Sequence, residues 1–160
     1  QACLLILNLD LEYYQGWSEV IIYPDSFVIK REVYDDSGVV HETRRTLAGE
    51  AWGRGPVILS WADARPGVRP HGSAPNVILH EFAHKLDMLN GAANGMPPLH
   101  NNMLRERWTV SLSQAYEKLF QQLERHHNTD IDHYAAENPA EFFAVLPEVF
   151  FEKHEVLHKL

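Results

Sequence analysis

The sequence predicts an α+β fold in which a small mixed sheet packs on one central helix and on further helices. Three observations carry this. Ala74 to Gly91, APNVILHEFAHKLDMLNG, reads as a helix with an HExxH core. Short β-rich runs fill the N-terminal part of the chain. Apolar residues at helical spacing dominate the C-terminal part.

The central helix comes first. His80 and His84 are four apart, one turn along the same face, so both imidazoles can reach one ion. Glu81 follows His80 by about 100° of rotation, which leaves it free to act as a general base rather than a ligand. Pro75 is expected in the first turn, where its missing N–H costs nothing. Val77, Ile78, Phe82, Leu86 and Leu89 supply the apolar surface that buries the helix. Gly91 is a left-handed stop.

Before this helix, Ala2 to Leu7 closes an incoming helix or forms a short strand. Glu19 to Pro24 and Phe27 to Glu32 are β-rich runs separated by Asp25-Ser26, a hairpin signal. Asp35-Asp36-Ser37-Gly38 reads as a second turn and Val39 to Arg44 as a third strand. Gly49 to Gly55 is glycine-rich and irregular, with no phosphate-binding pattern. Pro56 to Trp61 is a short strand. Its residues Val57, Ile58, Leu59, Ser60 and Trp61 are candidates to pair with an extended peptide if the strand lies at an edge. An interior strand is the other reading. Ala64 to Ser73, punctuated by glycine and proline, is loop.

After Gly91, Ala92 to His100 is again loop. Leu104, Trp108, Leu112, Ala115, Tyr116, Leu119 and Leu123 mark a long amphipathic helix that ends near His126-His127. A third helix starts at Asn138-Pro139-Ala140-Glu141, and Pro147 kinks it or opens its next segment.

At 160 residues, with 45% hydrophobic and 22% charged, the chain is expected to form one domain over 1–160. It begins at Gln1 and ends inside a helical pattern, so truncation at both ends is expected. A net charge of −8 argues against a nucleic-acid backbone as partner. There is no polybasic run for an anionic membrane and no long apolar stretch. Cys3 is the sole cysteine, which excludes an internal disulfide and fits a reducing compartment.

Two histidines do not complete a catalytic zinc site, which takes three protein ligands and leaves a fourth position open. Asp87, three residues after His84, suits a supporting role, fixing an imidazole N–H or a nearby backbone group; a salt-bridged or solvated aspartate is the alternative. Glu141 is the stronger third-ligand candidate, in the first turn of its helix. The same residues also spell a capping box, in which Glu141 returns to the Asn138 N–H. Glu137 is the runner-up.

HEFAHKLD at His80 to Asp87, YAAENPAEFFAV at Tyr134 to Val145 and GEAWGRGPVILSWAD at Gly49 to Asp63 together resemble the Mlc titration factor A family. The resemblance runs from about Tyr23 to Phe151. It implies a zincin-like fold of the gluzincin type, related to the catalytic domain of anthrax lethal factor. It also implies a bacterial cytoplasmic zinc metallopeptidase, aminopeptidase action being one form. By motif, His80, His84 and Glu141 would bind one Zn2+, Glu81 would be the base that activates water, and Tyr134 would face the metal. A phenol there can donate to the oxyanion of peptide hydrolysis; a packing tyrosine is the plainer reading. The resemblance further implies a partner, the Mlc glucose repressor, and with it an effect on sugar phosphotransferase uptake. A protein that only sequesters this regulator, without peptidase activity, is the competing reading. A structural zinc is disfavoured, because a site closed by four ligands has no use for Glu81.

Overall fold

The structure is a computed structural model that describes residues 1–16, 18–34, 37–65, 75–100 and 102–157. Asp35-Asp36 of the second turn, and the expected loop from residue 66 onward, lie outside the described residues.

The strands are β1 (Val20–Tyr23), β2 (Phe27–Tyr34), β3 (Val40–Leu47), β4 (Gly49–Ala51) and β5 (Val57–Ser60). The helices are α1 (Trp61–Ala64), α2 (Val77–Asp87), α3 (Arg105–Glu124), α4 (Pro139–Glu152) and α5 (His154–Leu157). Single 3-10 turns occur at Ala2–Leu4, Leu11–Tyr14, Met88–Asn90 and His133–Ala136. The opening segment is therefore not a strand but carries a 3-10 turn.

The strands form a three-stranded sheet in the order β1-β5-β4 and a separate ribbon of β2 with β3. This corrects the expected hairpin across Asp25-Ser26. β1 runs parallel to β5, Val20 beside Val57, whereas β2 pairs antiparallel with β3, Phe27 beside Leu47. A parallel partner has to come from a crossover far along the chain, which a local turn signal cannot reveal. Gly49–Ala51, expected to be irregular, is a strand antiparallel to β5. β5 consequently has a neighbour on each side. Val57, Ile58, Leu59 and Ser60 have no free backbone edge for a peptide, and Trp61 lies past the strand, in α1. Ser60 ends the strand because its side chain caps α1, accepting from the Asp63 N–H at 3.3 Å.

α2 lies over this sheet. Val77 and Phe82 join Val57 and Leu59 in one buried cluster. Pro75 is not in the first turn: Asn76 caps the helix, accepting from the Leu79 N–H at 3.2 Å. Pro75 stands one residue before the cap. The helix ends at Asp87, and the 3-10 turn Met88–Asn90 intervenes before Gly91 turns the chain at φ 147°, a backbone conformation that suits glycine.

α4 is the second organising element. Phe142, Val145 and Val149 enter a core with Leu119, Ile131, Ala135 and Val156, while Phe143 and Ala144 meet Ala83 of α2. Pro147 lies inside the helix rather than opening a new one. Burial on these faces leaves one stripe, Glu141, Glu148 and Glu152, turned toward α2. Among the described residues, no helix is long and apolar enough to cross a membrane.

Candidate metal centre

His80 and His84 project from the middle of α2, where the histidine side chains are only 11% and 12% exposed. Glu141 reaches them from the first turn of α4. Asn138 caps that turn, its Oδ1 accepting from the N–H groups of Ala140 and Glu141, both at 3.0 Å. This is half of the capping box. The Glu141 carboxylate turns away from the Asn138 N–H and toward the histidines instead.

The Nε2 atoms of His80 and His84 lie 3.2 Å apart, and Glu141 Oε2 lies 3.0 Å from the first and 3.2 Å from the second. Among the described residues this is the one cluster of at least three such donors that could hold an ion, with its ligand atoms within 4.8 Å of one another. Two imidazoles and a carboxylate suit a borderline divalent metal. Donors about 2.05 Å from a shared tetrahedral ion stand roughly 3.3 Å from each other. The observed spacing is close to that, so the residues fit the group.

The electrostatics favour positive charge here. Burial opposes a charge on His80, but its contacts to Glu141 and Glu148 outweigh that and raise it to about 10. Burial likewise works against the Glu141 carboxylate, and the hydrogen bonds of His80 and His84 overcome it, holding Glu141 down at about 2. Glu81 is 6% exposed. Burial pushes it up to about 7, against the pull of both histidines.

Glu81 lies under β4. A Cβ on Gly49 would stand 2.5 Å from Glu81 Cγ and 2.7 Å from Val77 Cγ2, so only a glycine lets the strand pass this close. A cavity of about 800 Å3 opens onto His80, Glu81 and Tyr134, with Gly49 on one wall and Asp132 on another.

Tyr134 sits in the 3-10 turn His133–Ala136, 41% exposed, its ring centre 5.9 Å from that of His80. Burial of its inner part, with Glu141 nearby, raises the phenol pKa and keeps it a proton donor. The turn is anchored by the Tyr116 hydroxyl of α3, which donates to the Ala136 carbonyl at 2.9 Å.

Asp87 is fully buried and does not bond an imidazole. Its Oδ2 accepts from the N–H groups of Asn94 and Gly95, both at 2.7 Å. Glu137, the alternative third donor, is taken up by Arg45 of β3 at 2.7 Å. Sequence reasoning missed Glu148, whose Oε1 lies 2.9 Å from His80 Nδ1 and whose Oε2 accepts from the Asn76 N–H. No local pattern in the sequence marks it, because its partner His80 lies on another helix. The Lys85 ammonium, also missed, donates to the carbonyls of Trp52, Gly53 and Gly55 in the turn after β4.

Comparison with known proteins gives a consistent family. The family described as glucose-regulated metallo-peptidase M90 matches residues 1–160. Mlc titration factor A of Escherichia fergusonii is 43% identical over 159 residues, covering 96% of this chain and 58% of that protein. The protein of the same name from Cronobacter sakazakii is also 43% identical, with the same coverage. An uncharacterized protein of Synechocystis is 42% identical over 158 residues, 98% of this chain and 58% of that protein. The chain thus spans less than two thirds of the length of these relatives.

Proposed function

The chain belongs to the glucose-regulated metallo-peptidase M90 family, and on that premise we propose that it is a zinc-dependent peptide hydrolase of the gluzincin type. His80, His84 and Glu141 are the ligands. The observation that carries this is the convergence of their three donor atoms at 3.0 to 3.2 Å from two helices far apart in sequence. Bound there, zinc supplies Lewis acidity, polarising the scissile carbonyl and lowering the pKa of water toward about 7.

The remaining work falls to the chain's own side chains. Glu81 takes a proton from the attacking water and returns it to the leaving amine. Its burial keeps the carboxylate largely away from bulk solvent, at the lining of the cavity. Tyr134 donates its phenolic hydrogen to the developing oxyanion, a contact worth about 3 kcal/mol of barrier. β5 is flanked by β1 and β4, and Gly49 brings β4 against Glu81. Action at the amino end of a peptide is the narrower form of this reading.

The test measures zinc content and cleavage of a peptide library together, with free and acetylated amino ends. Glu81→Gln is expected to keep its zinc and lose hydrolysis, and His84→Ala to lose both. Full activity in purified Glu81→Gln would remove the mechanism.

A second role is favoured by the relatives named Mlc titration factor A. On this reading the protein also binds an Mlc-type repressor in the cytoplasm and so affects sugar phosphotransferase uptake. A net charge of −8 suits a basic partner surface. Zinc-site variants that still bind the repressor would separate the two roles. A zinc-loaded protein that cleaves no member of the library would leave binding as the sole function.

A further inference from the structure

His80 uses both of its ring nitrogens, and they point in divergent directions. Nε2 faces Glu141 and His84, whereas Nδ1 faces Glu148 at 2.9 Å. The two side chains of that second contact are 11% and 8% exposed, so little water competes for it. We propose that Glu148 is a positioning residue for the metal centre: it accepts the Nδ1–H of His80, fixes the ring's rotation, and leaves Nε2 as the donor. This rests on the reading of His80 as a ligand.

Three features support it. A neutral imidazole carries one N–H, and the partner of one nitrogen decides which nitrogen is free to bind. Glu148 stands on the Nδ1 side of the ring, so it cannot also enter the ligand set at Nε2. Its second oxygen accepts from the Asn76 N–H at the start of α2, which holds the carboxylate plane and sets a negative charge where the helix end favours one. Glu148 thereby ties ring orientation to the docking of α2 on α4. Among the described residues Glu152, one turn further on, bonds the Asn76 side chain alone, at 2.6 Å and in an exposed position. It ties the same two helices without touching a ring, which makes it the natural control.

The experiment measures Zn2+ affinity by chelator competition for the unaltered chain, Glu148→Gln, Glu148→Ala and Glu152→Gln. Thermal unfolding of the metal-free forms and 15N–1H spectra of the histidine rings accompany it. Both Glu148 variants are expected to bind zinc about 10–100-fold more weakly and to shift or lose the His80 Nδ1–H resonance. Glu152→Gln should unfold at a lower temperature, with zinc affinity and the ring resonance unchanged. If a Glu148 variant fails to fold, Glu148→Asp, which keeps the charge and shortens the reach, carries the same comparison. Wild-type affinity and an unmoved resonance in Glu148→Gln would overturn the proposal. So would equal zinc losses in the Glu148 and Glu152 variants, since helix docking alone would then explain them. An unaltered chain that takes up no zinc would overturn the ligand reading itself.

Discussion

Glu81 is held in place by what is missing from its neighbour. With a Cβ on Gly49 at 2.5 Å from Glu81 Cγ, something has to shift. Gly49→Ala is therefore expected to displace β4 or Glu81, costing about 1–3 kcal/mol of stability and most of the hydrolytic activity. Zinc content should be retained, because no ligand lies in that contact. Denaturant unfolding and metal analysis of the purified variant check both halves. At this scale the histidines and Glu81 were legible because HExxH fixes their relation within one helical turn. Glu141 was legible as the better third donor, ahead of Glu137, but the same residues also spelled a capping box until the resemblance added weight to the ligand reading. Glu148 was not, because a glutamate two turns along a helix carries no mark of what it faces. Only the docking of α2 on α4 gives it a partner.

The elements matter through how their ends are fastened. α4 begins where Asn138 Oδ1 accepts two backbone N–H groups, one of them from Glu141 itself. Asn138→Ala should cost about 1 kcal/mol and weaken zinc binding, since the loosened turn carries the carboxylate. Calorimetric unfolding with and without zinc would separate the two effects. The same turn is braced from α2. Asp87 holds the N–H groups of Asn94 and Gly95, and a Cβ on Gly95 would come within 2.8 Å of the Pro139 carbonyl oxygen. Asp87 thus holds a backbone segment rather than an imidazole.

Lys85 fastens the turn after β4 in a comparable way, and the turn needs it because three carbonyls there point inward together. Lys85→Met leaves those carbonyls without their shared donor, and a loss of about 1–3 kcal/mol is expected on thermal unfolding. The helices were readable from the sequence because their pattern repeats locally. The pairing of β1 was not, because its partner β5 lies beyond three other strands and no nearby residue records that distance.

Across the whole molecule, the three candidate donors come from two helices that meet only in the folded state. An ion that binds this state and not the unfolded chain adds stability by mass action. At a free zinc concentration one hundred times Kd the gain is about 2.7 kcal/mol. Zinc should therefore raise the midpoint of thermal unfolding and a chelator should reverse it, with His84→Ala showing neither response. A chain whose midpoint ignores zinc would count against the whole site.

The separation of 57 residues between His84 and Glu141 has a consequence during synthesis. A ribosome delivers the paired imidazoles early, and they wait through the length of α3 before their carboxylate emerges. Until then the nascent chain offers two donors where three are needed, and cellular zinc has little reason to stay. An ion that needs all three donors should therefore arrive only after α4 has emerged and docked on α2, so the centre stays incomplete while that part of the chain is still being made.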